Sequence, residues 1–352
     1  MRRPAGGQAA PLQRRDDERA LWRPTPLAAL ELESIPSELH FVRDHFPAPS
    51  IEPATWSLEL TGDRQTLTLD LDQVRLLPQR RLSVVLECAG HRRAEFDPLP
   101  TGVPWACGAV AEARWTGTRL GPLLRRVGIP EWATEVVLEG SDCGPVVGFE
   151  GIHRFARSLP VDKALHHDVI LAYEMNGEPI PVDRGGPVRA IVPGWYATDS
   201  VKWLDRIWFT SEPFGGVFQA HDYRLKSSGE PGPGRRMTTV PVHALITAPQ
   251  AGEAIQLHGL TGVRGVAWGG TGGVARVQVR VDAGPWLEAR LAPPRGPYAR
   301  STWELECHLA SGMHEISCRA IDMAGRTQPD HPPANERGYA NNAIHRVRMR
   351  RV

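Results

Sequence analysis

The chain has 352 residues, 41% hydrophobic and 23% charged, with 41 Lys plus Arg against 40 Asp plus Glu. That length exceeds what one hydrophobic core usually organises, so two domains are expected, and the balanced charge excludes a general field for nucleic acid or an acidic membrane surface. The 35 Gly and 32 Pro residues favour turns and short strands over long helical bundles.

Residues 1–25 are polar, Arg-rich and Pro-containing, too poor in apolar positions to offset the entropy of ordering them, so a disordered tail is expected there. The opening stretch lacks the apolar run of a secretory signal, and nothing later approaches membrane-spanning length. A cytoplasmic protein is expected, or a periplasmic one whose leader has been removed.

Residues 26–226 form the first expected domain. Apolar, β-branched runs predict strands at 55–61, 82–88, 135–139, 169–174 and 188–193, and apolar residues three or four apart predict helices at 72–77 and 120–126. This half is α+β. Gly, Pro and Ser interrupt every periodicity in the stretch KSSGEPGPGRRMTT that opens at Lys226, giving a linker over 227–240. In the second domain, 241–352, Val277, Val279 and Val281 alternate with polar residues, and Asp282-Ala-Gly284 turns the chain before residues 286–291, a hairpin signature. Further short strands at 254–258, 301–309 and 314–321 predict an all-β immunoglobulin-like sandwich. The glycine cluster 269–273 lies between strands and reads as a flexible turn, not a phosphate cradle.

The five cysteines, Cys88, Cys107, Cys143, Cys307 and Cys318, contain no C-x-x-C pair, so neither a disulfide framework nor a zinc ribbon is indicated. Cys88 ends an apolar strand in LECAGHRRAEF, residues 86–96. The arginines behind it would favour a thiolate, a nucleophile or soft metal ligand; the alternative is a buried structural cysteine followed by a basic turn. Spacing leaves both open. The other four cysteines have no comparable basic cluster and are assigned to packing.

With HFVRDHFP (40–47), AYEMNGEPIP (172–181), DRGGPVR (183–189), a VPG and an SVKWL (200–204), the CAGHRR motif resembles the sulfite oxidase family of molybdopterin enzymes, in order and spacing, from about Leu39 to the C-terminus. The resemblance implies a molybdopterin-binding domain followed by an immunoglobulin-like domain that forms a homodimer. It implies Cys88 as the protein's metal ligand, and pterin contacts from Phe41, Val42, Arg43, His45, Asp142, Arg184, Arg189, Ser200, Val201 and Lys202. For the substrate it implies a cationic pocket of Arg43, Arg93 and Arg337 with Trp105 and Tyr223. Forked guanidinium donors suit a small oxyanion at any working pH.

The family's asparagines stand here as His91 and Asp44, and a cofactor-contacting histidine as Arg184; Arg92 receives no role. The activity implied is oxidation of sulfite to sulfate, with electrons passing to an external acceptor such as a cytochrome, since no C-x-x-C-H haem attachment motif occurs and no haem is expected in this chain. Nitrate or sulfoxide reduction on the same scaffold is the alternative, and Arg337 argues against it, because nitrate-reducing relatives tend to replace that arginine. A cofactor-free binding protein is a further alternative; hydrolysis by a Ser-His-Asp triad lacks a G-x-S-x-G elbow.

Overall fold

The structure is a computed structural model that describes residues 13–15, 18–227, 229–256, 260–270 and 272–352. It is mostly β, with short helices. The first domain holds two five-stranded sheets. In one, Gln79–Glu87 pairs with Val110–Arg119, which pairs with Ile170–Met175; in the other, Ser57–Thr61, Leu204–Thr210, Glu135–Gly144 and His153–Pro160 lie side by side.

Local chemistry explains the boundaries. Ser57–Thr61 alternates exposed and buried residues, as one covered face requires. Asp70 accepts from the Gln73 backbone and Gln73 reaches back to Asp70 N, a capping box that opens the helix Leu71–Arg75. The strand Gln79–Glu87 alternates at first and is then buried at every position from Val84 to Glu87. That half is covered on both faces: Val85 N donates to Tyr298 O at 2.9 Å, and Trp268 Nε1 to Glu87 Oε2 at 2.7 Å, both from the second domain.

The second domain is a sandwich. His243–Ala248, Thr261–Trp268, Ser301–Cys307 and Arg290–Leu291 form one sheet; Ala254–Ile255, His345–Arg351, Gly312–Asp322, Val274–Val281 and Leu287–Glu288 form the other. A core that includes Val277, Val279, Trp303, Ile316 and Met349 lies between them. The hairpin expected around Asp282 is present, with Val279 opposite Leu287. Residues 257–259, the end of one expected strand, lie outside the described residues, as does residue 271 of the glycine cluster. Gly270 in that cluster is a packing position, since a Cβ there would stand 2.2 Å from Gly194 O.

Two segments differ from expectation. Of the tail, residues 1–12 and 16–17 lie outside the described residues, but Glu18–Arg23 pairs with Val42–Arg43, and Trp22 meets Trp105 edge-on at 5.0 Å. One large aromatic with a buried partner supplies the apolar contact that average composition concealed. Within the expected linker 227–240, Arg235–Arg236 pairs with Arg224–Leu225 just before it, and Met237 is buried.

The domains share a buried interface. Arg300 and Glu112, both almost fully buried, pair at 3.0 Å, and Arg300 Nε donates to Leu30 O at 2.8 Å. Breaking one side of such a pair typically costs about 3–5 kcal/mol.

Candidate active site

The Cys88 turn is set by backbone bonds. His91 N donates to Cys88 O at 2.9 Å and Arg93 N to Gly90 O at 3.0 Å, while Arg92 takes a left-handed φ of 58°. Adjacent arginines therefore find different partners. Arg92, 1% exposed, grips Glu95 with Nε and Nη2 at 2.7 and 2.6 Å and donates from Nη1 to Ala343 O at 2.6 Å. Its role, absent from the sequence reading, is to clasp the second domain. Arg93 donates to Arg337 O at 2.8 Å and Val103 O at 2.9 Å. A Cβ at Gly90 would stand 2.7 Å from its Nη2, and one at Gly102 2.6 Å from its Nη1. Glycine at these positions opens the slot the guanidinium fills.

Cys88 stands where two clefts meet. The inner one spans about 700 Å³ and the outer about 1830 Å³, counting space open to solvent, and Arg43, His45, Cys88 and Tyr223 line both. Burial pushes the Cys88 thiol up, against the lowering pull of the Gly90 backbone, Arg93 and Arg43. The expectation that basic neighbours favour the thiolate is thus reversed in the polypeptide alone, because desolvation outweighs them. A bound cation would change the balance, since thiolate is the ligating form.

The inner cleft gathers most of the residues assigned to the pterin: Phe41, Val42, Arg43 and His45 from one segment, then Asp142, Arg184, Arg189, Ser200 and Lys202. Val201 does not line it; it is buried, and its carbonyl accepts from Ala190 N at 2.8 Å. Ser200 spends its hydroxyl on Val192 N at 3.0 Å. Lys202 forms an ion pair with the buried Asp44, so the acid standing in place of the family's asparagine neutralises a cation of the cleft.

Several groups here want a partner. Arg189, 5% exposed, donates to the carbonyls of Arg184 at 2.7 Å and Ser200 at 2.8 Å; among the described residues its Nε has no acceptor and no carboxylate pairs with it. Burial, then Arg184, lowers it to about 9. Asp142 Oδ1 and His40 Nε2 are likewise buried without partners among the described residues. Burial raises Asp142 to about 7 and lowers His40 to about 3. Unpaired cationic and amphoteric donors around one cleft fit a phosphate-bearing heterocycle, and the cysteine at its end fits a soft metal.

The outer cleft brings together Arg43, Arg93, Trp105, Tyr223 and Arg337. Arg337 is half exposed and pairs with Asp222 at 3.3 Å. The Tyr223 hydroxyl is 2.5 Å from His45 Nε2; burial, then Arg43 and Arg157, holds that imidazole neutral. The sequence reading missed Arg157, fully buried against Asp199 with its guanidinium 5.4 Å from the Tyr223 ring. It also missed His40 and Tyr339 as lining residues. His40 lay within a quoted motif, whereas Arg157 and Tyr339 carry no local signal. His91, buried, meets His243 and Trp268 of the second domain at 5.9 Å each, away from the clefts. Of the cysteines assigned to packing, Cys143 is exposed, and Cys107 lies 3.5 Å from His345 Nε2.

Residues 45–218 match the oxidoreductase molybdopterin binding domain and residues 235–352 the Mo-co oxidoreductase dimerisation domain. Sulfite oxidase from Gallus gallus is 37% identical over 335 residues, covering 88% of this chain and 72% of the relative. The chain belongs to the sulfite oxidase family of molybdopterin oxidoreductases. Within that family, mitochondrial sulfite oxidase from Rattus norvegicus is 35% identical over 94% of the chain, which spans 64% of that relative's length. Nitrate reductase [NADH] 1 from Oryza sativa subsp. japonica is 31% identical over 89% of the chain and 38% of the relative. The sulfane dehydrogenase SoxCD of Paracoccus pantotrophus shares the fold, with a TM-score of 0.81 at 23% identity, covering 98% of this chain and 92% of the other. This family member therefore has an α+β molybdopterin-binding domain followed by an immunoglobulin-like dimerisation domain.

Proposed function

We propose that the chain oxidises sulfite to sulfate and passes two electrons to an external acceptor such as a cytochrome. The observation that carries this reading is Arg93: a guanidinium 6% exposed, without a carboxylate partner among the described residues, in the cleft that Cys88 lines. A buried cation held by carbonyls and no carboxylate is costly unless an anion completes it. Arg43 and Arg337 line the same cleft, and three forked donors suit a tetrahedral or pyramidal oxyanion.

In this reading Cys88 would hold molybdenum, and Arg189, Arg184, Asp142 and Lys202 would hold the pterin and its phosphate. Bound, that group would supply oxygen-atom transfer and two-electron chemistry. The chain's own part is to bind and orient. Arg43, Arg93 and Arg337 neutralise and align the anion beside Cys88. Tyr223, tethered to a neutral His45, offers a hydroxyl donor to an anion oxygen or carries a proton to His45. The match to a dimerisation domain supports a homodimer built on residues 235–352.

The test is molybdenum content of the purified protein followed by a sulfite titration with ferricyanide or cytochrome c as acceptor. Sulfite-dependent acceptor reduction is expected. Molybdenum-loaded protein that ignores sulfite and reduces nitrate from a reduced dye would replace this reading with nitrate reduction.

A further inference from the structure

We propose that Tyr339, supplied by the second domain, is the positioning residue that fixes Arg93 and Tyr223 for anion binding. The proposal rests on the sulfite-oxidising reading above. Tyr339 lines the outer cleft and is 7% exposed. The Arg93 guanidinium lies over its ring, 5.1 Å from the centroid, and the Tyr223 ring stacks on it at 5.6 Å and 15°. One aromatic ring thus touches the buried cation without a carboxylate and the phenol tethered to His45.

The backbone around Tyr339 is built to hold that ring. Gly338 and Ala340 on either side take left-handed φ angles of 59° and 56°, a conformation that costs a non-glycine residue energy and persists only where its surroundings enforce it. Asn335 closes on Tyr339 twice, Oδ1 accepting from Tyr339 N and Nδ2 donating to Tyr339 O, both at 2.9 Å. Ala340 N then donates to Ala89 O at 2.9 Å, which pins the loop to the residue after Cys88. Gly338 leaves room for the Arg93 stem, since a Cβ there would stand 2.9 Å from Arg93 Cγ. Burial, then Asp222, raises the Tyr339 phenol to about 12, so the ring meets Arg93 as a neutral face at working pH.

A cation over an aromatic face keeps its outer N–H groups for another partner, whereas a carboxylate would occupy them. Tyr339 therefore confines Arg93 without competing for its donors. Removing the ring should let both Arg93 and Tyr223 relax, weakening anion binding more than it slows the bound reaction.

The test compares Tyr339→Val and Tyr339→Phe in the cofactor-loaded protein by steady-state kinetics with sulfite, alongside calorimetric titration with sodium sulfate as a non-reacting anion. Tyr339→Val should raise KM and the sulfate Kd about tenfold, the size of losing one cation–π and one stacking contact at a desolvated site, with kcat changed less. Tyr339→Phe should restore both constants to near wild type, which a role resting on the hydroxyl would not allow. If Tyr339→Val does not hold its fold, Asn335→Ala frees the ring while keeping it, and should shift KM in the same direction. Wild-type constants in Tyr339→Val, or equal losses in the Phe and Val variants, would overturn the proposal while leaving the sulfite reading intact. Wild-type protein that neither binds sulfate nor oxidises sulfite overturns both.

Discussion

Ala340 of the second domain donates its backbone N–H to the carbonyl of Ala89, 2.9 Å away and one residue beyond Cys88. This bond belongs to a clasp: Asn341 Nδ2 donates to Arg92 O at 3.0 Å, Arg92 Nη1 to Ala343 O at 2.6 Å, and Arg93 Nε to Arg337 O at 2.8 Å. The immunoglobulin-like domain therefore shapes the candidate active site directly.

Arg92→Ala should loosen that clasp. It removes a buried guanidinium from Glu95 and from the Ala343 carbonyl, which Gln328 Nε2 still reaches at 3.0 Å, and should destabilise the protein by about 3 kcal/mol. Denaturant unfolding measures the loss; a wild-type midpoint would mean the clasp contributes nothing.

Arg93→Met separates binding from stability. Losing a charge-assisted donor to the anion should raise KM for sulfite roughly 10–100-fold. The same change strips Arg337 O and Val103 O of a donor and should cost the anion-free protein about 1 kcal/mol. A wild-type KM would contradict the first half, and an unchanged melting temperature in anion-free buffer the second.

Cys88→Ser should leave the fold intact and abolish turnover, by about three orders of magnitude or more, since the proposed metal site loses its protein thiolate. Circular dichroism, molybdenum analysis and ferricyanide reduction report the three quantities. Retained activity would remove Cys88 from the site.

Asp142 gives a pH signature. Burial raises its carboxyl from 3.8 to about 7, so the native state holds a proton that the unfolded chain releases. The stability this contributes is full below about pH 4 and is lost as pH rises toward 7. Asp142→Asn should flatten that slope and stabilise the cofactor-free protein at pH 8 by about 3 kcal/mol. Unfolding curves at pH 5 and pH 8 decide it; parallel slopes in both proteins would rule Asp142 out as the source.

Much of the fold was legible because it follows from periodicity. The alternation in Ser57–Thr61 and Val274–Val281 and the apolar run into Cys88 needed no partner to be read. His345–Arg351 was overlooked although Val347 and Met349 alternate inward between arginines, because the charged residues dominate its composition. The trace of Glu18–Arg23 along Val42–Arg43 depends on one tryptophan finding another, a contact that composition averages away.

Of the site, the sequence by itself determined the kinds of group: one cysteine at a strand end, arginines in recurring motifs, and a second domain of short strands. Those follow from local residue order and from motif spacing. Only the tertiary structure decided what each group faces. Arg92 and Arg93 are adjacent in the chain and both reach the second domain, yet beside a left-handed φ at Arg92 only Arg93 lines the outer cleft. For Cys88, spacing left a thiolate and a buried thiol both open; burial raises its thiol, because desolvation depends on the whole enclosing fold rather than on sequence neighbours.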